Sequence, residues 1–170
     1  ITNLSTVNVA ISNYIAVVTM NNPPVNAQNR QFHDDLTLVF DVLSDRNDVR
    51  SIVLTGGGKC FSAGADIKGR ASQESDLGDH WVHSRRVREC FYSIMECRKP
   101  VIAAINGAAL GAGLAVAASA DILIASESAS VGLPEINVGL LGGGRHAMRL
   151  FGHSKTRRLM LTGQRLSGAE

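Results

Sequence analysis

Cysteine is scarce: Cys60, Cys90 and Cys97 are all the chain has. None sits in a CxxC pair and the count is odd, so neither a disulfide framework nor a thiolate zinc site is indicated. Charge of one sign is also lacking. The 17 basic and 15 acidic residues are interspersed, with a net charge of +2, and no basic stripe of the kind that follows a phosphate backbone can be drawn. Nucleic acid is therefore not an expected partner. No uncharged apolar run approaches the roughly 20 residues that cross a bilayer, and the opening ITNLSTVNVAI has no positive segment ahead of an apolar one. A soluble protein with no membrane partner is expected. A reducing cytosol fits, and an organelle matrix would fit too.

Motifs for several chemistries are missing as well. GGGKC lacks both the first glycine and the hydroxyl of a phosphate-binding P-loop, which removes kinase and NTPase readings. No G-x-S-x-G elbow exists, so serine hydrolase chemistry has no support. The five histidines, His33, His80, His83, His146 and His153, are scattered and are expected at the surface rather than around a metal.

What is present is a composition of 45% hydrophobic and 19% charged residues, ordinary for one globular domain with a sizeable core. Alternation at Val7, Val9 and Ile11, then at Ile15 and Val17, predicts a hairpin, which NNPPVN interrupts. Phe32, Leu36, Phe40 and Leu43 recur at helical spacing over 29–44, and VRSIVLTG follows as a buried strand. Residues 69–78 are polar and predict a loop. Trp81, Val87, Phe91, Ile94 and Met95 then mark an amphipathic helix that ends before Pro100. Strand VIAAI, a small-residue helix over about 111–118 and strand DILIAS complete a βαβ alternation, the pattern of an α/β protein with a largely parallel, covered sheet. At the end of the chain, Ser167 and Glu170 stand at the spacing of a capping box, which opens a helix. Either a helical subdomain would follow, or the S-x-x-E is a chance pair in a frayed tail.

Two glycine-rich turns follow strands: CFSAGADIK after IVLTG, and NGAALGAG after VIAAI. Small residues let a ligand approach backbone N–H groups, and at the second turn the start of a helix adds its positive end. Two such turns could aim two donors at one oxygen, the construction of an oxyanion hole. Gly111 and Gly113 also open a nicotinamide reading, weakened because Val116 stands where a dinucleotide fingerprint needs glycine or alanine. One acid has apolar company in sequence. Glu135 in VGLPEINVGLL lies among Val131, Leu133, Ile136, Val138, Leu140 and Leu141, where desolvation would raise its pKa toward a proton-transfer role. The residues alone leave open whether it instead caps a turn after Pro134.

NNPPVNA, FSAGADIK, KPVIAAINGAALGAG, DILIAS and GLPEINVGLLGGG, in this order and spacing over essentially all 170 residues, resemble the enoyl-CoA hydratase/isomerase (crotonase) family. The resemblance implies a spiral of ββα turns as residues 1–170, with a C-terminal helical subdomain, absent from the chain as given, that completes the site. It implies an enzyme of fatty acid metabolism, a lyase or isomerase, assembled as a homotrimer or a dimer of trimers. The substrate would be an acyl-CoA thioester, with coenzyme A entering only as part of it and no metal or separate cofactor required.

Residue by residue, the resemblance makes the N–H groups of Ala65 and Ala112 the oxyanion-hole donors. Ala112 replaces a more usual glycine without changing the donor. It puts the CoA adenine near Ala63, Ala65 and Ile67, with Lys68 beside phosphate groups unless it is an ordinary surface lysine. Glu135 matches one of two catalytic glutamates. The position of the second is Ala115, a departure that opens the choice among hydration, double-bond isomerisation, other enolate chemistry and CoA-thioester binding without hydratase activity.

Overall fold

The computed structural model describes residues 3–67, 69 and 76–170. The predicted hairpin is β1 (Val7–Ser12) and β2 (Ile15–Met20), antiparallel from Val7↔Met20 to Ser12↔Ile15. After β3 (Ala27–Gln28) comes α1 (Arg30–Asp45), which begins where the Asn29 side-chain oxygen accepts the Phe32 N–H at 2.9 Å. That bond satisfies one of the four N–H groups a helix start leaves unpaired. The stripe Phe32, Leu36, Val39, Phe40 and Leu43 is fully buried, as its spacing requires. Then follow β4 (Ser51–Gly56), β5 (Cys60–Ser62) and β6 (Gly64–Ala65).

Helix α2 (Leu77–Met95) starts at Asp76, whose side chain accepts the Asp79 N–H. Gly78, expected in a loop, is therefore in its first turn, while residues 70–75 of that expected loop lie outside the described residues. Trp81, expected on the buried face, is 64% exposed; burial on α2 is confined to Cys90, Phe91 and Ile94. The reason lies in what the first half of α2 meets. There the Arg86 guanidinium pairs with Asp34 of α1 at 2.6 Å, a polar seam that offers an indole no apolar cover.

The remaining elements are β7 (Val101–Ile105), β8 (Ala108–Leu110), α3 (Ala112–Ala117), β9 (Ile122–Ala125) and β10 (Ser130–Gly132). A 3-10 turn over Pro134–Val138, α4 (Gly144–Ala147), α5 (His153–Thr162) and β11 (Arg165–Ser167) complete the chain. Beyond β11, the Glu170 carboxylate accepts the Ser167 N–H at 2.9 Å, one arm of the expected capping box.

The βαβ alternation does yield a mainly parallel sheet, ordered β1-β2-β4-β7-β9. It is covered on one face only. Ala16, Val18, Ile52, Leu54 and Ala103 point into the core, whereas Val17, Ile122 and Ile124 of the alternate register are exposed. A second sheet, ordered β11-β10-β8-β5, and a short β3-β6 ribbon stand beside it. Sequence periodicity could not separate these, because strands of two or three residues are too short to show a period.

Candidate active site

Strands β5, β8 and β10 are parallel neighbours, with Cys60↔Ala108 on one side and Ser130↔Ala108 through Gly132↔Leu110 on the other. Their C-terminal ends therefore leave the sheet at one edge, the edge at which α/β proteins bind ligands. One exit runs to Gly64–Ala65, the next to Gly111–Ala112, the third to Leu133–Glu135. Tertiary packing thus brings together Ala65, Ala112 and Glu135, which lie 70 residues apart in sequence at the extremes.

The glycines make this closeness possible. Gly64 has φ +94°, and a methyl built on it would lie 2.6 Å from the Leu110 carbonyl oxygen and 3.2 Å from the Ala112 nitrogen. Gly113 is tighter, with its imagined methyl 2.2 Å from the Ser62 carbonyl oxygen. The Gly111 N–H donates to the Gly132 carbonyl at 2.9 Å, tying the second exit to the third. The close approach that a dinucleotide reading assigns to a pyrophosphate is here taken up by Ser62 and Glu135.

Both candidate donors are turned away from the internal ladders. Ala112 is the first residue of α3, where an N–H has no acceptor within the helix. Beside β3, with which β6 pairs from Ala27↔Gly64 to Gln28↔Ala65, the flanking groups are both taken: Asp66 N–H by the Gln28 carbonyl of β3 at 3.1 Å and Gly64 N–H by Ser62 Oγ of β5 at 3.2 Å. Because successive N–H groups on a strand point to opposite edges, the Ala65 N–H between them faces the other way. Ala63, Ala65 and Ile67 alternate on the exposed side of this stretch. A cleft of about 380 Å³ opens beside Ala65, bounded by Gln28, Asn29, Asp34, Asp66 and His83 among others. Lys68 lies outside the described residues.

Glu135 sits in the first turn of the 3-10 segment, and its surroundings differ from those its sequence neighbours suggest. Ile136, Val138, Leu140 and Leu141 are 37%, 55%, 50% and 60% exposed, because a tight turn splays successive side chains outward. Backbone surrounds the carboxylate instead. A methyl on Gly111 (φ +56°) would lie 2.8 Å from Oε1, and methyls on Gly142 and Gly143 would each lie 3.8 Å away. Oε2 is buried without a hydrogen-bond partner. Burial pushes the carboxyl pKa up, opposed by a bond from the residue's own amide. A partly desolvated carboxylate with one unpartnered oxygen, next to a helix start, is equipped to take and return a proton. Ala115 lies one helical turn beyond Gly111, is 2% exposed and packs in the apolar core.

Sequence reasoning missed a second set of residues. His33, expected at the surface, is 1% exposed, and its Nδ1 has no partner. It lies on the inner face of α1 beside Phe32, where burial pushes its pKa down to about 4. His146 is half-buried, its ring edge-on to Phe91 at 4.8 Å. Asn26, Gln28 and Ser62 are all buried and hydrogen-bonded to one another or to the CFSAG backbone. The i, i+2 spacing of Asn26 and Gln28 was the one available signal.

A family profile described as enoyl-CoA hydratase/isomerase matches residues 10–170. A probable enoyl-CoA hydratase of Bacillus subtilis is 38% identical over 170 residues, covering 98% of this chain and 66% of the relative. An indene-carboxyl-CoA hydrolase of Mycobacterium tuberculosis is 36% identical, over 91% of this chain and 62% of its own length. Among solved structures, a putative enoyl-CoA hydratase/isomerase (crotonase) of Legionella pneumophila superposes with a TM-score of 0.91 at 30% identity, covering 98% of this chain and 66% of that one. The chain thus spans a little under two thirds of the length of these relatives. Hydratase and hydrolase names occur at nearly equal identity, so identity does not choose the reaction.

Proposed function

The chain belongs to the enoyl-CoA hydratase/isomerase family, and on that premise we propose that it carries the thioester-holding and proton-transfer part of an enzyme acting on an acyl-CoA. The thioester oxygen accepts from the N–H groups of Ala65 and Ala112. As a proton leaves the carbon next to the carbonyl, negative charge gathers on that oxygen, and two fixed dipoles stabilise it without reorganising. Glu135 takes the proton and returns it to carbon. The observation that carries this reading is the Glu135 carboxylate, with one oxygen buried and unpartnered, lodged against Gly111 immediately before Ala112.

Ala115 narrows the chemistry. Hydration asks for one group to activate water and another to manage the proton at carbon, whereas isomerisation needs a single carboxyl that removes a proton at one carbon and delivers it at another. With an apolar residue at Ala115, one-acid chemistry is favoured, and hydration would require Glu135 to serve both steps. In this reading Ala63, Ala65 and Ile67 face the CoA adenine and Lys68 its phosphates. Coenzyme A enters only with the substrate, the working assembly is a homotrimer or a dimer of trimers, and the setting is the cytoplasm. Among the described residues no helix is long and apolar enough to cross a membrane.

The test is a panel of enoyl-CoA thioesters, followed by ultraviolet loss of the enoyl band for hydration and by proton NMR in D2O for exchange at the acidic carbon. Glu135→Gln should reduce exchange by about 100-fold or more while CoA-ester binding persists. Full activity of that variant on every thioester turned over by the wild type removes the mechanism.

A further inference from the structure

The Ala65 N–H is a useful donor only if its peptide plane is held still, and the contacts that hold it converge on one residue. Asp66 N–H, on one side of Ala65, donates to the main-chain carbonyl of Gln28 at 3.1 Å. Gly64 N–H, on the other side, donates to Ser62 Oγ at 3.2 Å. Ser62 Oγ in turn receives the Gln28 side-chain Nε2–H at 3.2 Å and donates its own proton to the Asn26 carbonyl at 2.8 Å. A hydroxyl has one proton to give and two lone pairs to fill, so Ser62 is saturated. Its rotamer is held by the Asn26 carbonyl and by Gln28 together, and its lone pair aimed at Gly64 is fixed with it.

Proton order then follows along the chain of bonds. Gln28 Nε2 is the donor to Ser62, so the oxygen of that amide faces His33 Nε2 at 3.4 Å and can only accept. His33 therefore carries its proton on Nε2, and its buried Nδ1 is bare. Every member is sequestered: Gln28 is 2% exposed, Ser62 0% and His33 1%. Burial makes such a network costly to rearrange, since a rotated Gln28 amide would unpair Ser62 and His33 Nε2 in a dry interior.

We propose that Gln28 is the positioning residue of the oxyanion hole, clamping the Gly64–Ala65–Asp66 backbone from both sides, through its main-chain carbonyl and, by way of Ser62, through its side chain. This rests on the enoyl-CoA reading above and adds to it a residue that touches no substrate atom. Removing the amide leaves the Ala65 N–H present but clamped from the Asp66 side alone, with more room to tilt. Donor strength falls in the transition state more than in the bound substrate, so kcat drops while KM stays.

The experiment uses Gln28→Leu and Ser62→Ala in the intact protein, with two readouts. One is the kcat and KM split on whichever enoyl-CoA the wild type turns over. The other is the infrared carbonyl band of bound, carbonyl-13C-labelled butyryl-CoA, which oxyanion-hole donors shift from its solution frequency. A residue that only stabilises the fold would not move that band in folded protein. Each variant should lose about 10-fold in kcat with KM within about twofold, and the band should move back toward its solution position. Folded variants with wild-type kcat and an unmoved band overturn the clamp. If Gln28→Leu does not fold, Ser62→Ala, which removes a single oxygen, decides by the same two readings. A wild type that shows neither turnover nor a shifted band on any thioester defeats the enoyl-CoA reading itself, and the clamp with it; a wild type that shows both leaves only the clamp at stake.

Discussion

Both turns are closely packed, but the backbone at Gly64–Ala65 is also held by hydrogen bonds from buried side chains, whereas at Gly111–Gly113 no side-chain cap is made and backbone contact does the holding. Around the first turn, Ser62 and Gln28 occupy the lone pairs and N–H groups that flank the donor. Around the second, Gly113 lets α3 lie against the Ser62 carbonyl and Gly111 admits the Glu135 carboxylate, with no side-chain cap on the helix. The two designs should fail differently. A turn set by steric exclusion breaks when an atom is added. A turn set by polar contacts loosens when one is removed.

The largest effect expected is at Gly113. In an open helix Gly→Ala would stabilise by roughly 1 kcal/mol, but here the methyl would meet a backbone carbonyl at 2.2 Å that cannot move without β5. Gly113→Ala should therefore destabilise by about 3 kcal/mol or more, measured by urea denaturation. A gain in stability would show that the second turn is not closed by contact.

Next come the two proposed donors. Ala112→Pro keeps α3, since proline suits the first helical position, and removes only the N–H; Ala65→Pro does the same at a nitrogen outside the β3 ladder. Each should lower kcat about 100- to 1,000-fold with circular dichroism unchanged. A folded variant with normal turnover would release that residue from the site and break the symmetry between the two turns.

A titration separates the turns further, because His33 serves only the first. Its pKa of about 4 in the fold, against 6.5 unfolded, arises from burial first and from the nearby His83 charge next, opposed by Asp34 and reinforced by Arg86. A base whose folded pKa is depressed takes up protons more readily when unfolded. Its neutral form thus costs no stability above pH 6.5, and stability is lost as pH falls from 6.5 toward 4, by on the order of 3 kcal/mol in all. Denaturation midpoints across that range should fall in the wild type and flatten in His33→Leu. A parallel slope in the variant would place the acid sensitivity elsewhere.

Glu135 gives the smallest change and the opposite sign. A carboxyl raised in the fold binds protons there more tightly than in the unfolded chain, so its share of stability is lost as pH rises above 4.5. Glu135→Gln should remove that decline and leave stability at neutral pH equal or slightly higher, even as proton transfer disappears. A less stable Glu135→Gln protein would mean that the carboxylate has a partner that holds the second turn together.

Much of the frame was legible beforehand. The hairpin, α1, β4, β7, α3 and β9 each carried a period or a boundary residue strong enough to read, and the two glycine turns announced close approach. Trp81 misled because helical spacing cannot tell an apolar neighbour from the Arg86–Asp34 seam. His33 misled because a polar residue type says nothing about which face of α1 it occupies. Of the apolar neighbours that single out Glu135, Leu133 is buried but Ile136, Val138, Leu140 and Leu141 are exposed, and glycine backbone lies against the carboxylate instead.

By itself, then, the sequence determined the local elements and the kinds of groups available: two bare turns after strands and one acid after a proline. These are matters of near-neighbour sterics and periodicity, which act over a few residues. Only the tertiary structure decided that β5, β8 and β10 lie side by side. That adjacency delivers Ala65, Ala112 and Glu135 to one edge and places Gln28, Ser62 and His33 behind the Gly64–Ala65 turn. Parallel pairing joins segments through long crossovers, and hydrogen-bond saturation depends on which atoms meet in the dry interior. Neither is encoded in the spacing of any single stretch.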